Sequence, residues 1–550
     1  MKPERIRAGL LLADLSVPYT ASPEDIFEAA RKRLKAGGIP SRELQFELYR
    51  QAVDPRKKQD IRLVNTVLVT QKDGTAPNVP SRLFQRLHAS LLCERDVPAP
   101  TGKRTGKRPL VVGTGPAGMF AALYLAEAGY RPLVLERGEA VEERERTVQT
   151  FLSSRTLDTE SNIQFGAGGA GTFSDGKLMT RIRDEYTGYV LRRLFEFGAP
   201  QEILYRAHPH IGTDCLRRVV SALLARVEEA GGEILYRTRF EGMELENEKE
   251  GAARVRTSRG LLECGPVVLA VGNSARDTFR TLLVRDSFSL IPKPMSFGVR
   301  VEHRREDIDR MLYGDAAGHP ALGAAEYHLS DTTGPRGVYT FCMCPGGTVV
   351  AGASEEGGLV VNGMSRHSRD GVNSNAAVAV SLTPADYPEE DGSAVLGAIA
   401  LQRQTERLAY EAGGADWAAP VQTMKDFLDG TSGHSPREVR PTYMDGYVRP
   451  ADLGSLLPCG IGEDLRRGLR SFDRTMPGYA MPGAVLTGVE TRTSSPVRIL
   501  RGEDRTCPGH PLVYPCGEGA GYAGGITSSA VDGLRSAIEI GGRFRPSVSD

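Results

Sequence analysis

Glycines recur at the first, third and sixth positions of the segment from Gly113 to Gly118. Between a strand and a helix, the first such glycine permits a tight turn and the second leaves room for a pyrophosphate against the backbone. The third lets the helix pack closely on the strand, and the helix N-terminus presents free N–H groups and a partial positive charge. The spacing therefore predicts a dinucleotide-binding turn.

An acidic residue, Glu136, stands where the next strand is predicted to end. A carboxylate at this position accepts hydrogen bonds from a ribose 2′-hydroxyl and would repel a 2′-phosphate. Glu136 therefore argues against NADP at this site and leaves FAD or NAD as the dinucleotide.

A second glycine-rich turn, from Gly517 to Gly525, also lies between a predicted strand and a predicted helix. The residues that follow, 526–550, are too few for another βαβ unit of about 30 residues, so we expect this turn to complete the first site. FAD is long enough to need such a second contact. We expect Glu518 to bind its ribityl hydroxyls, and the helix that begins near Ile526 to favour reduction of the flavin by about 0.3–1 kcal/mol.

The loop from Gly166 to Lys177 is rich in glycine, and bare backbone of this kind can lie against a flavin and offer it N–H groups. Lys177 would stabilise the reduced, anionic flavin or bind a substrate carboxylate. An ordinary surface lysine is the alternative interpretation. The apolar segment from Val267 to Gly272 predicts a buried strand that ends beside the cofactor, although a plain core strand would explain it as well.

Cys342 and Cys344 form a C-x-C pair on a predicted strand, where residues two apart share a face. Both thiols could then face the flavin, as a flavin-linked disulfide or as a nucleophilic thiol. Two buried structural cysteines are the more common case. Zinc needs about four ligands, and neither a second cysteine pair nor a suitably spaced histidine pair is near in sequence, so we expect no metal site.

Two further residues are candidates for contact with a substrate. Arg492 could bind an anionic group, because a guanidinium holds a carboxylate through two parallel hydrogen bonds. A structural ion pair with a nearby acid is the alternative for Arg492. His434 lies in a loop rich in glycine and serine, and its imidazole has a pKa suited to proton donation near neutral pH. A solvated loop histidine is the alternative for His434.

The elements that must position these residues divide the chain into regions. We predict an α+β domain over residues 1–97, in which Ser22 could cap a helix over Pro23–Lys35. We also predict a polar and basic linker over 98–108, and an FAD-binding domain over 109–289 that returns over 481–550. Residues 290–480 contain short alternating runs, such as Ser296–Glu302 and Val338–Met343, which are typical of an antiparallel β region. We interpret 290–480 as an inserted substrate or cap domain.

Composition and charge argue against several classes of protein. Hydrophobic residues make up 40% of the 550 residues, charged residues make up 25%, and the formal net charge is zero. This balance is typical of globular proteins and gives no electrostatic reason to expect a nucleic-acid or membrane partner. No apolar run reaches the length of about 18 residues that a membrane span needs. The eight scattered cysteines and the polar N-terminus favour reduced thiols in a cytoplasmic protein.

Several longer motifs resemble those of one known family. They are Leu135–Gly138 with Arg144 downstream, Asn162–Gly166, Gly168–Lys177, Pro209–Asp214, Ser274–Asp277, Thr340–Gly347, Glu490–Pro496 and the C-terminal glycine turn. Together they resemble the bacterial NAD(FAD)-utilising, FAD-dependent dehydrogenases of unassigned substrate. The resemblance covers most of the chain. It implies an α/β fold with a single Rossmann-type FAD-binding domain of the glutathione-reductase-like group, an inserted mixed β-rich substrate domain and a small N-terminal α+β domain.

The motifs and the resemblance together define the residues expected to bind FAD. These are Gly113, Gly115, Pro116, Ala117, Gly118, Glu136, Arg137, Arg144, Gly168, Gly169, Ala170, Gly171, Thr172, Ser174, Lys177, Gly272, Gly517, Glu518, Gly524, Gly525 and Ile526. The residues expected to act on the substrate are Lys177, Cys342, Cys344, His434 and Arg492.

The function expected from these sites is that of an oxidoreductase, which transfers hydride between flavin N5 and a small-molecule substrate. Electrons would come from transiently bound NAD(P)H or from an electron-transfer protein, because the sequence shows no second dinucleotide fold. An FAD monooxygenase is one alternative, and the single tryptophan, Trp417, makes a tryptophan-rich halogenase a poor match. A non-catalytic flavin-binding sensor or interaction protein is the other alternative.

Overall fold

The computed structural model describes residues 5–105, 107–180, 182–244 and 252–546. Its strands in chain order are β1 (Arg5–Pro18), β2 (Gln45–Asp54), β3 (Arg62–Thr70), β4 (Ala89–Arg95), β5 (Arg104–Thr105), β6 (Leu110–Val112), β7 (Leu133–Leu135), β8 (Glu233–Leu235), β9 (Phe240–Glu244), β10 (Ala253–Thr257), β11 (Gly260–Cys264), β12 (Val267–Leu269), β13 (Leu290–Pro292), β14 (Met295–Arg304), β15 (Ser330–Asp331), β16 (Val338–Cys344), β17 (Thr348–Ala351), β18 (Val361–Met364), β19 (Asn373–Leu382), β20 (Ala419–Thr423), β21 (Val448–Pro450), β22 (Val485–Glu490), β23 (Val497–Ile499), β24 (Val513–Pro515) and β25 (Phe544–Arg545).

The α-helices in chain order are α1 (Pro23–Ala36), α2 (Phe84–Leu87), α3 (Pro116–Glu127), α4 (Val141–Ser154), α5 (Thr187–Glu196), α6 (Thr213–Glu229), α7 (Arg276–Arg280), α8 (Arg305–Tyr313), α9 (Ala394–Ala412), α10 (Met424–Asp429), α11 (Leu453–Leu456), α12 (Ile461–Thr475) and α13 (Ile526–Arg543). Among the described residues, none of these helices is both long and apolar enough to cross a membrane.

The N-terminal region is an antiparallel sheet in the order β2-β3-β1-β4, with α1 packed against it. Helix α1 begins at the predicted cap, because the Ser22 hydroxyl accepts a hydrogen bond from the Asp25 N–H at 3.2 Å and the Asp25 carboxylate accepts one from the Ser22 N–H at 2.8 Å. Its buried residues Ile26, Ala30 and Leu34 recur every four residues and face the sheet. Local spacing was therefore sufficient to predict this helix.

The predicted linker is held against the end of the chain. The N–H groups of Thr101 and Gly102 donate to the Gly541 carbonyl at 3.0 and 2.9 Å, and β5 pairs in parallel with β25. The 98–105 segment is therefore docked on the C-terminal helix, a contact that its polar composition did not indicate.

A parallel sheet in the order β24-β12-β6-β7-β8 forms the centre of the dinucleotide-binding region. The predicted strand, turn, helix and strand are observed as β6, α3 and β7. Helix α3 is buried from Ala117 to Ala126 and packs on α13. Because β24 pairs beside β12, the last glycine turn of the sequence returns to the sheet that begins at β6. This arrangement agrees with the prediction that the second turn completes the first site.

A larger sheet, in the order β15-β16-β19-β14-β22-β20-β21, forms the core of the region predicted as inserted. Its neighbouring strands are antiparallel except for β20 and β21. Strand β22, Val485–Glu490, lies between β14 and β20, so this sheet extends past the predicted boundary at residue 480. The boundary was misplaced because an apolar strand does not show in its own sequence which sheet it will join.

Candidate functional site

The first glycine turn leaves the N-terminus of α3 open. Helix α3 starts after Gly115 without a side-chain cap, and the Met119 N–H makes its first backbone hydrogen bond, to the Gly115 carbonyl at 2.9 Å. The N–H groups of Ala117 and Gly118 therefore point out of the helix end. A Cβ at Gly118 would collide with the Gly113 carbonyl, whereas a Cβ at Gly115 would have no atom of the described chain within 4 Å. The turn thus has both the close packing and the open space that a pyrophosphate requires.

Glu136 is engaged by the chain itself. Its carboxylate accepts hydrogen bonds from the Thr114 N–H at 3.0 Å, the Thr114 hydroxyl at 2.5 Å, the Gly138 N–H at 3.0 Å and the Gly166 N–H at 2.9 Å. A carboxylate has about four such acceptor positions, so a ribose hydroxyl would have to share or displace one of these donors. The visible role of Glu136 is to join the first glycine turn to the loop at Gly166.

Arg144, predicted to contact the cofactor, instead organises the 162–169 loop from inside. Its fully buried guanidinium donates to the carbonyls of Asn162, Ile163, Gly166, Ala167 and Gly169 at 2.7 to 3.2 Å. Burial lowers the pKa of Arg144 to about 9. The prediction is therefore corrected: Arg144 is a positioning residue, because its N–H groups are aimed at backbone oxygens of the loop.

Arg137, also predicted to contact FAD, lies in a second group of internal contacts. It donates to Glu160 at 3.1 and 3.2 Å and to Asp277 at 3.1 and 3.3 Å, and its guanidinium lies 3.9 Å from the ring centre of Phe165. These contacts tie the loop before Gly166 to the start of α7.

Replacing Arg144 by methionine should lower the free energy of unfolding by about 2–4 kcal/mol, because buried carbonyls lose a charged donor. We also expect less FAD per protein after purification, because the loop that touches the glycine turn loses its support. Thermal unfolding and the flavin-to-protein absorbance ratio measure the two effects. Arg146→Met is the matched control on the same helix, since the Arg146 side chain is 74% exposed. Equal effects of the two substitutions would contradict the positioning role.

The glycine loop lies directly on the first turn. The Gly168 N–H donates to the Thr114 carbonyl at 3.1 Å, and a Cβ at Gly169 would lie 3.0 Å from the Gly115 Cα. The Thr172 hydroxyl donates to a carbonyl within the loop. The part of the loop predicted to bind FAD, which also includes Ala170, Gly171 and Ser174, therefore starts against the open helix end.

The second glycine turn reaches the same place from the other side. A Cβ at Gly517 would lie 2.7 Å from the Ala117 Cβ, and one at Gly519 would collide with the backbone of Gly272. Helix α13 begins at Ile526 without a side-chain cap, after Gly524 and Gly525. The three glycine segments, which are far apart in sequence, thus converge around the N-termini of α3 and α13. Their shared surface fits a long dinucleotide such as FAD.

Glu518 lies at the edge of this surface and is partly buried. The Asn273 side-chain amide donates to its carboxylate at 2.9 Å. Burial raises the pKa of Glu518 to about 7, against the lowering effects of Asn273 and Lys293. Glu518 can therefore gain or lose a proton near neutral pH beside the second glycine turn.

Lys177 lies at the other end of the glycine loop, in a cluster of charged side chains. Its ammonium is 2.8 Å from Asp175 and 3.5 Å from Glu326. Arg369, from the large-sheet region, also binds Asp175, at 2.6 Å, and contacts Glu326. Burial lowers the pKa of Lys177, but the two carboxylates more than reverse this, so its pKa lies above the ordinary value. Lys177 therefore carries a positive charge at neutral pH.

The C-x-C pair is brought to Lys177 by an irregularity in β16. The register of β16 shifts between Phe341 and Cys344, and Cys342 has a φ of +43°. On a regular strand the two side chains would share a face by alternation. Here the left-handed residue bends the strand, and the Cys344 sulfur lies 3.4 Å from the Cys342 carbonyl oxygen. The regular alternation on which the prediction for the two thiols rested is thus interrupted at Cys342 by the bulge.

Arg300 supports the pair from the neighbouring part of the sheet. Its guanidinium donates to the Cys342 carbonyl at 3.2 Å and lies 3.9 Å from the Cys344 sulfur, and it forms a buried ion pair with Glu490 at 2.7 Å. The hydrogen bond from Cys344 lowers the pKa of Cys342, and the positive charges of Arg300 and Lys177 act in the same direction. The hydrogen bond with Cys342 and burial raise the pKa of Cys344.

Arg492 and His434 are not in this cluster. The Arg492 guanidinium binds Glu406 at 2.8 and 3.0 Å, as well as the hydroxyls of Ser274 and Ser354 at 3.2 and 2.5 Å. The structural ion pair, and not the anion clamp, is therefore observed. The His434 ring is 76% exposed and contacts Asp426 at 3.0 Å, which matches the solvated alternative.

The sequence analysis missed several charged residues of the site: Arg300, Glu326 and Arg369 at the Lys177 cluster, and Arg276 and Glu406 at Arg492. For Arg300 alone, the sequence contained a feature that indicated a buried charge. Arg300 lies in the middle of β14, which is buried from Met295 to His303, and a charged residue in such a strand needs a partner. The other residues have no comparable local signal.

Two family models match separate parts of the chain. The family described as FAD binding domain matches residues 108–260, and the family described as FAD-dependent protein, C-terminal domain-like, matches residues 294–493. Among solved structures, CtdE in complex with FAD is 11% identical with a TM-score of 0.31, over 80% of this chain and 84% of its own. A geranylgeranyl bacteriochlorophyll reductase-like protein of Thermoplasma acidophilum is 13% identical with a TM-score of 0.32, over 79% of this chain and 78% of its own.

A much more similar relative comes from Clostridium beijerinckii and is described as an uncharacterized protein. It is 42% identical over 507 residues, which cover 91% of this chain and 93% of the relative. The two family matches show that FAD is the cofactor. The chain therefore belongs to one family with the Clostridium protein, and it contains an FAD binding domain and an FAD-dependent C-terminal domain.

Proposed function

We propose that the protein is an FAD-dependent oxidoreductase that transfers hydride between the flavin and a small-molecule substrate. One observation carries the proposal. The glycine loop that starts on the dinucleotide turn ends at Lys177, whose positive charge acts on the thiols of Cys342 and Cys344 from the large sheet. A cation and a polarised thiol pair thus meet where the two regions join. FAD, when bound, supplies a two-electron carrier, which none of these side chains can be by itself.

The residues of the cluster have separate tasks in this proposal. Lys177 binds an anionic group of the substrate or stabilises negative charge that develops beside it, because its pKa keeps it protonated. Asp175 holds Lys177 in place through an ion pair, and Arg369 in turn holds Asp175. We also propose that the FAD-binding region belongs to the glutathione-reductase-like group and takes its electrons from transiently bound NAD(P)H or a protein donor.

Anaerobic mixing of the FAD-loaded protein with a panel of metabolites, NADH and NADPH tests this function. We expect saturable bleaching of the flavin absorbance by one class of small molecule. Lys177→Met should slow that bleaching about tenfold or more, equivalent to about 1.4 kcal/mol, with FAD content measured alongside. Lys425→Met is the matched control, because Lys425 is exposed and pairs with Asp429 on α10.

Other outcomes of this experiment would favour a different function for the protein. Peroxide or a hydroxylated product under oxygen would favour the monooxygenase alternative. A flavin that no compound in the panel reduces would favour a non-catalytic flavin-binding role. A tight, long-lived complex with NADH would contradict transient binding of the nicotinamide.

A further inference from the structure

The Cys342 and Cys344 side chains differ in accessibility although they lie two residues apart. Cys342 is partly exposed, whereas Cys344 is fully buried. The Cys344 sulfur also lies 3.4 Å from the Cys342 carbonyl oxygen. Of the two residues, Cys342 is therefore the one that lies nearer to solvent.

The bulge in β16 gives the pair a backbone suited to closure. Residues two apart on a fully extended strand are separated by up to about 7 Å, at the upper limit of the Cα separations of about 4.4–6.8 Å that a disulfide spans. The φ of +43° at Cys342 bends the strand out of the extended conformation. The Arg300 guanidinium holds this bend by donating to the Cys342 carbonyl at 3.2 Å. The bend at the cysteine pair is thus built into the fold.

The groups around the pair make Cys342 the more acidic thiol and Cys344 the less acidic one. The Cys344 hydrogen bond, Arg300 and Lys177 lower the pKa of Cys342, while the contact with Cys342 and burial raise that of Cys344. The negative charge of Glu490 raises the pKa of Cys342, and that of Asp175 raises the pKa of Cys344. Both carboxylates therefore disfavour the thiolate forms. The more exposed residue of the two therefore has the more acidic thiol, and thiolates are the reactive form in exchange with disulfides.

We propose that Cys342 and Cys344 are a redox-active dithiol that exchanges with a low-molecular-weight disulfide, with Cys342 as the attacking thiol and Cys344 as the resolving thiol. A small disulfide fits better than a protein disulfide, because Cys342 is only partly exposed within a strand of the sheet. This deepens the proposed oxidoreductase function by naming the substrate class.

The exchange proceeds in two balanced steps. The Cys342 thiolate attacks one sulfur of the disulfide R–S–S–R, so that a Cys342–S–S–R bond forms, the substrate bond breaks and RS⁻ leaves. The Cys344 sulfur then attacks that of Cys342, and the second RS group leaves with the Cys344 proton as RSH. The pair loses two electrons, which the substrate gains. The Cys342–Cys344 disulfide needs two electrons and two protons to return to the dithiol. For the source of these electrons, the inference rests on the proposed function.

Titration of the FAD-loaded protein with dithiobis(nitrobenzoic acid) tests the proposal. Cys93 and Cys459 are exposed and are first replaced by serine to remove their background reaction. We expect rapid release of two thionitrobenzoates per protein, and a product that carries a Cys342–Cys344 disulfide and no adduct by mass spectrometry. Cys344→Ser should stop at one thionitrobenzoate with a stable adduct on Cys342, and Cys342→Ser should lose the rapid phase.

A second readout follows the acidity of Cys342. The midpoint of its alkylation with pH should lie below the ordinary thiol pKa of about 8.5. Lys177→Met should move the midpoint to higher pH, because a cation that stabilises the thiolate is lost, whereas Lys425→Met should leave it unchanged. Flavin content and thermal unfolding confirm that each variant is folded.

Two results would overturn the inference: a stable adduct on Cys342 while Cys344 is present, or a rapid phase that persists in Cys342→Ser. Rapid reaction with a disulfide-bonded protein but not with small disulfides would overturn the substrate class. None of these readouts requires flavin turnover. A protein that fails the flavin-bleaching test can therefore still pass this one, and an active oxidoreductase can fail it.

Discussion

Glu406→Gln is expected to lower the free energy of unfolding by about 3–5 kcal/mol, because it leaves two buried guanidinium groups without their shared counter-ion. The Glu406 carboxylate accepts hydrogen bonds from Arg276 at 2.6 and 2.9 Å and from Arg492 at 2.8 and 3.0 Å. The Thr491 hydroxyl adds another at 2.6 Å. The Glu406 side chain is 1% exposed, so water cannot replace the lost charge. Thermal and denaturant unfolding of the FAD-loaded protein measure the effect.

The matched control for this substitution is Glu411→Gln on the same helix, α9. Glu411 pairs with Arg407 one turn away, and their side chains are 53% and 76% exposed. Such a surface pair contributes about 0.5 kcal/mol or less. Similar losses of stability for Glu406→Gln and Glu411→Gln would show that the buried network contributes no more to the free energy of unfolding than the surface pair does.

The same substitution has a defined pH dependence. Burial raises the pKa of Glu406, but Arg276 and Arg492 outweigh this and hold it well below its ordinary value. A depressed pKa in the folded state stabilises the fold above the unfolded-state pKa of about 4.3, and this stabilisation is lost as the pH falls toward the folded-state value. The difference in stability between the wild type and Glu406→Gln should therefore be constant near neutral pH and narrow below about pH 4. A difference that grows on acidification would contradict the ion-pair account.

Gly115→Ala should weaken FAD binding about tenfold to a hundredfold, or by about 1.4–2.7 kcal/mol, without unfolding the protein. Its φ of −65° and ψ of 176° suit any residue, and an added Cβ would meet no atom of the described chain within 4 Å. The methyl group would instead occupy the space in front of the α3 N-terminus, where the pyrophosphate is expected. Equilibrium titration of the apoprotein with FAD gives the affinity, and thermal unfolding of the apoprotein shows that the fold is intact.

Two other glycines serve as comparisons for Gly115→Ala. Gly542→Ala, at the end of α13, also has open space around its Cβ, and should leave FAD affinity unchanged while stabilising the helix by up to about 1 kcal/mol. Gly118→Ala should impair folding as well as binding, because its Cβ would collide with the Gly113 carbonyl. Wild-type FAD affinity in Gly115→Ala would show that the pyrophosphate does not lie against this turn.

The parts of the site that could be predicted from sequence are those whose requirements are local. A tight turn out of β6 and close packing of α3 need glycine at particular positions, so the spacing from Gly113 to Gly118 was sufficient. The same holds for the cap of α1 at Ser22. The second turn could be assigned to the first site by chain length, and the pairing of β24 with β12 agrees with that assignment.

The partners of charged side chains could not be predicted, because they are set by long-range contacts. Arg492 was predicted to bind a substrate anion, but the fold places Glu406 of α9 against it. Arg144 was predicted to contact the cofactor, but it turns from α4 toward the carbonyls of the 162–169 loop. A guanidinium shows in sequence that an acceptor must be near, but it does not show which one.

Local sequence patterns were sufficient to predict the cofactor-binding turn, most of the elements around it and a pair of cysteines on a strand. The tertiary structure alone decided that Lys177 and Cys342 lie in one cluster, that a bulge and Arg300 set the geometry of the pair, and that β22 belongs to the large sheet. The physical reason is the range of the interactions. Steric and hydrogen-bonding requirements of turns and caps act within a few residues, whereas the pairing of strands and buried charges depends on how distant segments pack.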